Sequence, residues 1–175
     1  MGLLKWFRKK EKIGSSQFPG ERLSIDKILE LGNTTEMIIE LSYGISDKIS
    51  RAGFDSLSHA EKVLYRIYWL ETEVNNGGFD QYFFNTSGNY AIDTPEDLEE
   101  IGAHHTAQIV RDAISIFPGG SPPRSRDDRD KLYDLVTDEV RDKWYELDLK
   151  FYEYQDPLET LQIGYVTNNK DEINV

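Results

Sequence analysis

Glu71–Gly88, ETEVNNGGFDQYFFNTSG, decides how this chain folds, because it joins the end of an apolar helix, a paired-glycine corner and an aromatic cluster. Ahead of it Ala60, Val63, Leu64, Ile67, Leu70 and Val74 recur at three- and four-residue steps and form one apolar helical stripe. Ser58 with Glu61 three residues on is a capping box for that helix. Asn75, Asn76, Gly77 and Gly78 tolerate the left-handed conformation that closes a helix, so the chain is expected to turn there. Phe79, Tyr82 and Phe83 then share one face of a short second helix that would fold back on the stripe, stopped by Asn85, Thr86, Ser87 and Gly88.

Glu71 falls on the apolar stripe, four residues after Ile67, where an unpaired carboxylate is costly. Asn75, Gln81 and Tyr82 are the nearby donors expected to serve it, whereas Glu73, off the stripe, is expected to stay in water. The corner reads first as a buried polar network that fixes how two helices meet. The catalytic alternative makes Glu71 a general acid or base working with His105 or Tyr82, but no nucleophile stands beside it. The expectation is a protein that is not an enzyme, with no catalytic residue.

The run LETEVNNGGFDQYFFNTSG, after the apolar helix HAEKVLYRIYWL, resembles the signature of the bacterial DNA mimic protein 19 family, through its core NNGG-F-x-x-YFFN. The resemblance extends from about Thr35 to Asp156. It implies a small, helical, acidic domain of a family whose prototype is a dimer occupying the DNA-binding surface of a transcription factor.

Composition bounds the partners. The 175 residues suffice for one domain, and a formal charge of −12 argues against direct nucleic-acid binding while favouring a basic protein partner. Residues 1–23 carry six Lys or Arg against two Glu, a net +4, leaving −16 on residues 24–175. The expected organisation is thus a flexible basic arm with a linker (1–23) ahead of a single compact, all-α, multi-helix acidic domain (24–175). The absence of cysteine excludes disulfides and thiolate chemistry and fits a cytoplasmic setting. The start MGLLKWFRKKEKIG is not a signal peptide; Leu3, Leu4, Trp6 and Phe7 beside five basic residues read as a tail, mobile or lying on the acidic body, with membrane contact not expected.

Along the body, Ile25–Leu31 reads as a short helix, and Asn33 with Glu36 opens one that carries Ile38, Leu41, Ile45 and Ile49 to Gly53. Thr94-Pro95 opens another with Thr as cap, its inward stripe running Leu98, Ile101, His105, Ile109 and Phe117. Glu100 and His104 are spaced to pair on its surface. No metal or cofactor is expected, because adjacent His104 and His105 point apart and no ligand motif surrounds them. Arg124, Arg126, Arg129 and Lys131 alternate with Asp127, Asp128 and Asp130, which reads as a solvated helix start. From Thr137, Val140, Trp144, Leu147, Phe151 and Tyr154 form a heptad-like seam, expected in the core and alternatively at a homodimer surface. Asp156-Pro157 with Glu159 is expected to cap a last helix, with a frayed tail after Thr167.

Acidic faces carry the functional reading. Glu96, Asp97 and Glu100 on one helix, and Asp138, Glu139, Asp142 and Glu146 on another, sit at spacings that can address the basic side chains of a phosphate-gripping surface. The expectation is a non-enzymatic DNA mimic for a basic, DNA-binding partner; the alternative is an immunity protein neutralising a basic toxin.

Overall fold

A chain punctuated by caps and glycines rather than by β-branched runs should wind into short helices, and it does. The computed structural model describes residues 23–175, so the basic arm and the expectations placed on it lie outside the described residues. Among those described, every regular element is helical: α1 (Ile25–Leu29), α2 (Thr34–Ala52), α3 (His59–Phe84), α4 (Thr94–Glu100), α5 (His104–Ile116), α6 (Arg126–Tyr133), α7 (Asp138–Phe151) and α8 (Leu158–Asn168). Short 3-10 turns lie at Phe54–Ser56, Thr86–Tyr90 and Lys170–Glu172. No helix among them is long and apolar enough to cross a membrane.

α3 is the axis. Helices α2, α4, α6 and α7 pack on it, α5 lies against α4 and α7, and α8 lies on α2. Its start is fixed by the Ser58 and Glu61 capping box, with both reciprocal bonds present. Glu61 is fully buried there because Lys48 and the Asn174 N–H also bind its carboxylate. Asn33 caps α2 through the Glu36 N–H, as the sequence predicts. At the corner Gly77 (φ −155°, ψ 23°) and Gly78 (φ 74°, ψ −173°) leave helical geometry, and helix resumes at once, so α3 is one kinked helix.

Beyond the kink the aromatics look outward to other helices more than back along their own stripe. Phe83 lies 5.2 Å from Trp144 of α7 and 5.6 Å from Phe117, ring centre to ring centre, and Phe79 meets Phe151 edge-on at 6.1 Å. Trp144, Leu147 and Phe151 are buried, so this part of the α7 seam is spent on the core and does not supply the dimer surface.

Several expectations are corrected by the fold. The predicted helix from Thr94 to Phe117 breaks at Gly102, whose φ of 88° resets the helical phase, so His105 is exposed and not inward. Thr94 does not cap; Asp93 holds the cap position and the Thr94 hydroxyl is buried. Asp156 does not cap α8 but reaches across to α5, accepting from Thr106 N at 2.7 Å and Thr106 Oγ1 at 2.9 Å. The tail does not fray: Ile173 is buried and the Asn174 N–H donates to Glu61 at 2.8 Å.

Candidate functional site

The corner is a polar network with Glu71 sealed inside it. Glu71 is 2% exposed and accepts from Tyr154 Oη at 2.9 Å and from Gln162 Nε2 at 3.4 Å. The Asn75 amide ties the pair together, donating to the Glu71 backbone oxygen at 2.7 Å and to Tyr154 Oη at 2.6 Å. Tyr154 takes a left-handed φ of 49° just past α7, a conformation tolerated where packing and hydrogen bonds over-determine it. Burial pushes the Glu71 carboxyl up to about 7, against the opposing pull of the Tyr154 bond. Two of the three donors expected for Glu71 serve other groups. Gln81 donates to Glu73, and Tyr82 pairs with Thr94 Oγ1 at 2.9 Å. Glu73 is itself buried, not in water, and takes a further bond from Asn85 at 2.8 Å, while Asn76 donates to Gln81.

The two ends of the second half of α3 are held from far along the chain. Asp148 is buried and accepts the Phe79 N–H at 2.8 Å, capping the half-helix after the kink. Burial pushes its carboxyl up to about 6. A side chain at Gly78 would run into that carboxylate, which is why glycine stands there. At the other end Arg129, expected in solvent, is fully buried and donates to the carbonyls of Phe83, Asn85, Pro123 and Arg124 at 2.8 to 3.0 Å. A cation suits the unsatisfied carbonyls and negative dipole of a helix C-terminus. Thus Glu71, Asn75, Asn76, Gly77, Gly78, Phe79, Gln81, Tyr82, Phe83 and Asn85 form one structural unit. Glu71 does not meet His105, which is exposed on α5, so the catalytic pairing with that residue is not assembled. Among the described residues no group of three or more His, Asp or Glu is placed to hold a metal.

The acidic candidates divide. On α4 Glu96 is exposed, but Asp97 is 3% exposed and ion-paired with Arg66 at 3.0 Å, so it faces inward beside Leu98. Burial outweighs that partner and pushes the Asp97 carboxyl up to about 6. Glu100 is engaged by His59 at 2.8 Å and Tyr165 at 2.6 Å, not by His104. On α7 Asp138, Glu139, Asp142 and Glu146 are all exposed. Lys143 pairs with Glu139, and Arg141 lies between Asp80 and Asp138. Asp142 and Glu146 have no ion-pair partner among the described residues.

α7 carries a second seam that sequence reasoning missed. Asp138, Asp142, Tyr145 and Leu149 follow one another at steps of four and three, the same rhythm as the buried seam, on the face turned away from Trp144 and Phe151, whereas Tyr152, just past the helix, turns back to donate its hydroxyl to the Val74 carbonyl at 2.8 Å. Tyr145 is 60%, Leu149 48% and Tyr152 42% exposed, against a protein interior that takes most other large apolar side chains. The outward face of α7 therefore carries the carboxylates of Asp138, Asp142 and Glu146 with Tyr145 and Leu149 exposed beside them. The signal lies in the spacing, but one helix carries two seams and the buried one is the more aromatic.

A family model described as DMP19-like protein matches residues 55–169, a span that holds α3 with its corner and α4 to α8. It starts and ends later than the Thr35 to Asp156 span of the sequence resemblance. No curated protein and no solved structure matches the chain.

Proposed function

The chain belongs to the DMP19-like family, and from that premise we propose that it is a non-catalytic acidic binding protein whose α7 face stands in for a nucleic-acid backbone toward a basic, DNA-binding partner. The observation that supports this most is the pair Asp142 and Glu146, exposed, unpaired among the described residues and one helical turn apart on a body of net −16. Cβ atoms at that spacing lie about 5–6 Å apart, so successive Lys or Arg side chains built to grip phosphates can each find a carboxylate. Asp138 extends the row by another turn and Glu96 adds a separate charge on α4. Because Asp97 and Glu100 are spent on internal contacts, α7 rather than α4 leads the recognition. The reading goes with a bacterial cytoplasmic setting and with a two-fold dimer that would double the row.

The test is competition. A basic protein retained by the immobilised chain should be released by duplex DNA, and its affinity should fall steeply with salt. Asp142→Asn with Glu146→Gln should weaken binding by about tenfold or more, whereas Glu36→Gln on α2 should leave it unchanged. Binding that ignores both salt and DNA would overturn the proposal.

A further inference from the structure

We propose that Asn76 is a self-modification site, at which the Gly77 nitrogen converts the side-chain amide to isoaspartate and aspartate. Gln81 restrains the conversion, and the product loosens the half of α3 beyond the kink. Of the chain's asparagines, Asn76 alone is followed by glycine, the one neighbour with no side chain to shield its own nitrogen. Asn76 and Gly77 are both exposed, and the backbone leaves helical geometry at Gly77, so the pair stands in water at the edge of the bend. The other corner asparagines are engaged. Asn75 donates to the Glu71 carbonyl and to Tyr154, and Asn85 donates to Glu73; each is half-buried and precedes a residue with a side chain.

The fold itself demands the reactive pair. Gln81 lies over Gly77 so closely that a Cβ there would run into its amide oxygen and come within 2.9 Å of its Cβ, so glycine has to follow Asn76. The same Gln81 is the restraint. Its Oε1 accepts from the Asn76 amide at 3.0 Å while its Nε2 is anchored on Glu73 at 2.5 Å. Ring closure needs Asn76 to give up this bond and to swing ψ out of the helical well, bringing Cγ onto the Gly77 nitrogen. That nitrogen loses its proton to solvent and bonds to Cγ. The Cγ–Nδ2 bond breaks, and Nδ2 leaves as ammonia on a proton from water. Water then opens the five-membered imide. Addition at Cγ leaves aspartate, whereas addition at the main-chain carbonyl carbon leaves isoaspartate, with the chain running on through Cγ. Either product replaces the donor to Gln81 with a carboxylate, facing an acceptor oxygen and linked through Gln81 to the buried Glu73. Isoaspartate also lengthens the backbone by a carbon, between the half of α3 capped by Ser58 and the half capped by Asp148.

Full-length protein held folded in mildly alkaline buffer, alongside the same chain unfolded in urea, tests this by peptide mass spectrometry. The folded chain should gain about one mass unit, confined to the peptide that carries Asn76, and an isoaspartyl-specific methyltransferase should label the same peptide. The gain should be slower than in urea. Gln81→Ala, its folding checked by circular dichroism, should speed the gain in the folded chain by about threefold or more, the effect of releasing one hydrogen bond. Asn76→Gln, whose longer side chain closes a ring far more slowly, should abolish it. The converted form is more negative and separable by anion exchange. Its amide hydrogens from Phe79 to Phe84 should exchange about tenfold faster than those of the unconverted form, with α2 unchanged. An Asn76 amide that survives in the folded chain once the urea sample has converted would overturn the inference. So would a rate that Gln81→Ala leaves unchanged, or a converted form whose second half of α3 exchanges no faster.

Discussion

Replacing Glu71 by glutamine should make this protein more stable above neutrality and leave it nearly unchanged in weak acid. Burial lifts the Glu71 carboxyl from 4.5 up to about 7, because the anion has lost its water and keeps only the Tyr154 and Gln162 donors. The folded chain therefore holds a proton that the unfolded chain releases. That favours folding fully below about pH 4.5 and is lost as pH rises through 7. A shift of this size amounts to about 3 kcal/mol in the limit and about 2.5 kcal/mol between pH 5 and pH 8. The amide introduced by Glu71→Gln is neutral throughout, keeps an oxygen for Tyr154, and lets Gln162 turn its own oxygen toward the new N–H. Urea unfolding followed by circular dichroism at pH 5, 6, 7 and 8 reads the difference between variant and wild type. The variant should gain about 2.5 kcal/mol on the wild type across that range. Asp97 and Asp148, raised to about 6, tilt both proteins alike, so the difference isolates Glu71. A difference that stays flat with pH would refute the account of a sealed, proton-holding carboxyl.

Gly78→Ala should cost about 2–4 kcal/mol, combining backbone strain at φ 74° with displacement of the Asp148 cap, whereas Gly53→Ala, at φ 82° with open space around it, should cost about 1 kcal/mol; chemical denaturation separates them. Arg129→Met should cost about 3–5 kcal/mol, since the Phe83 carbonyl is left buried without a donor and the Asn85 carbonyl keeps only the Gly88 N–H, and the lost order should show in the near-ultraviolet signal of Trp144. Removing residues 173–175 should lower stability by about 2–4 kcal/mol in a thermal melt, through loss of the Ile173 side chain from the core and of the Asn174 bond to Glu61.

What could be read in the sequence was what is settled within one helical turn. Asn33 with Glu36, Ser58 with Glu61, the stripe from Ala60 to Val74 and the bend at Gly77 and Gly78 all depend on neighbours three or four residues away, and all are found as expected. What escaped were polar groups whose partners lie tens of residues off. Asp148 and Arg129 look like solvated charges in local context and Asp156 like the cap of the helix that follows it, and they are buried or bonded as they are only because Phe79, Phe83 and Thr106 arrive from elsewhere. His105 was misplaced for a different reason, as a single positive φ at Gly102 shifts the phase of everything after it. Among the acids, exposure of the α7 set followed from periodicity, while Asp97 was lost to Arg66, a partner 31 residues away.

The remote capping of helix ends sets an order on how the protein can be made. As the chain leaves the ribosome, the first half of α3 can wind with its own Ser58 box, but the half beyond the glycines has no partner for the Phe79 amide until Asp148 emerges. Helix α5 likewise waits for Asp156, and Glu71 for Tyr154 and Gln162. A nascent chain halted after α6 would thus expose Phe79, Phe83 and Phe117 without the Trp144 and Phe151 that cover them, a greasy half-product suited to chaperones. Cooperative closure waits for residues 144–162, one short stretch that delivers the cap, the aromatic lid and the hydrogen-bond donors together.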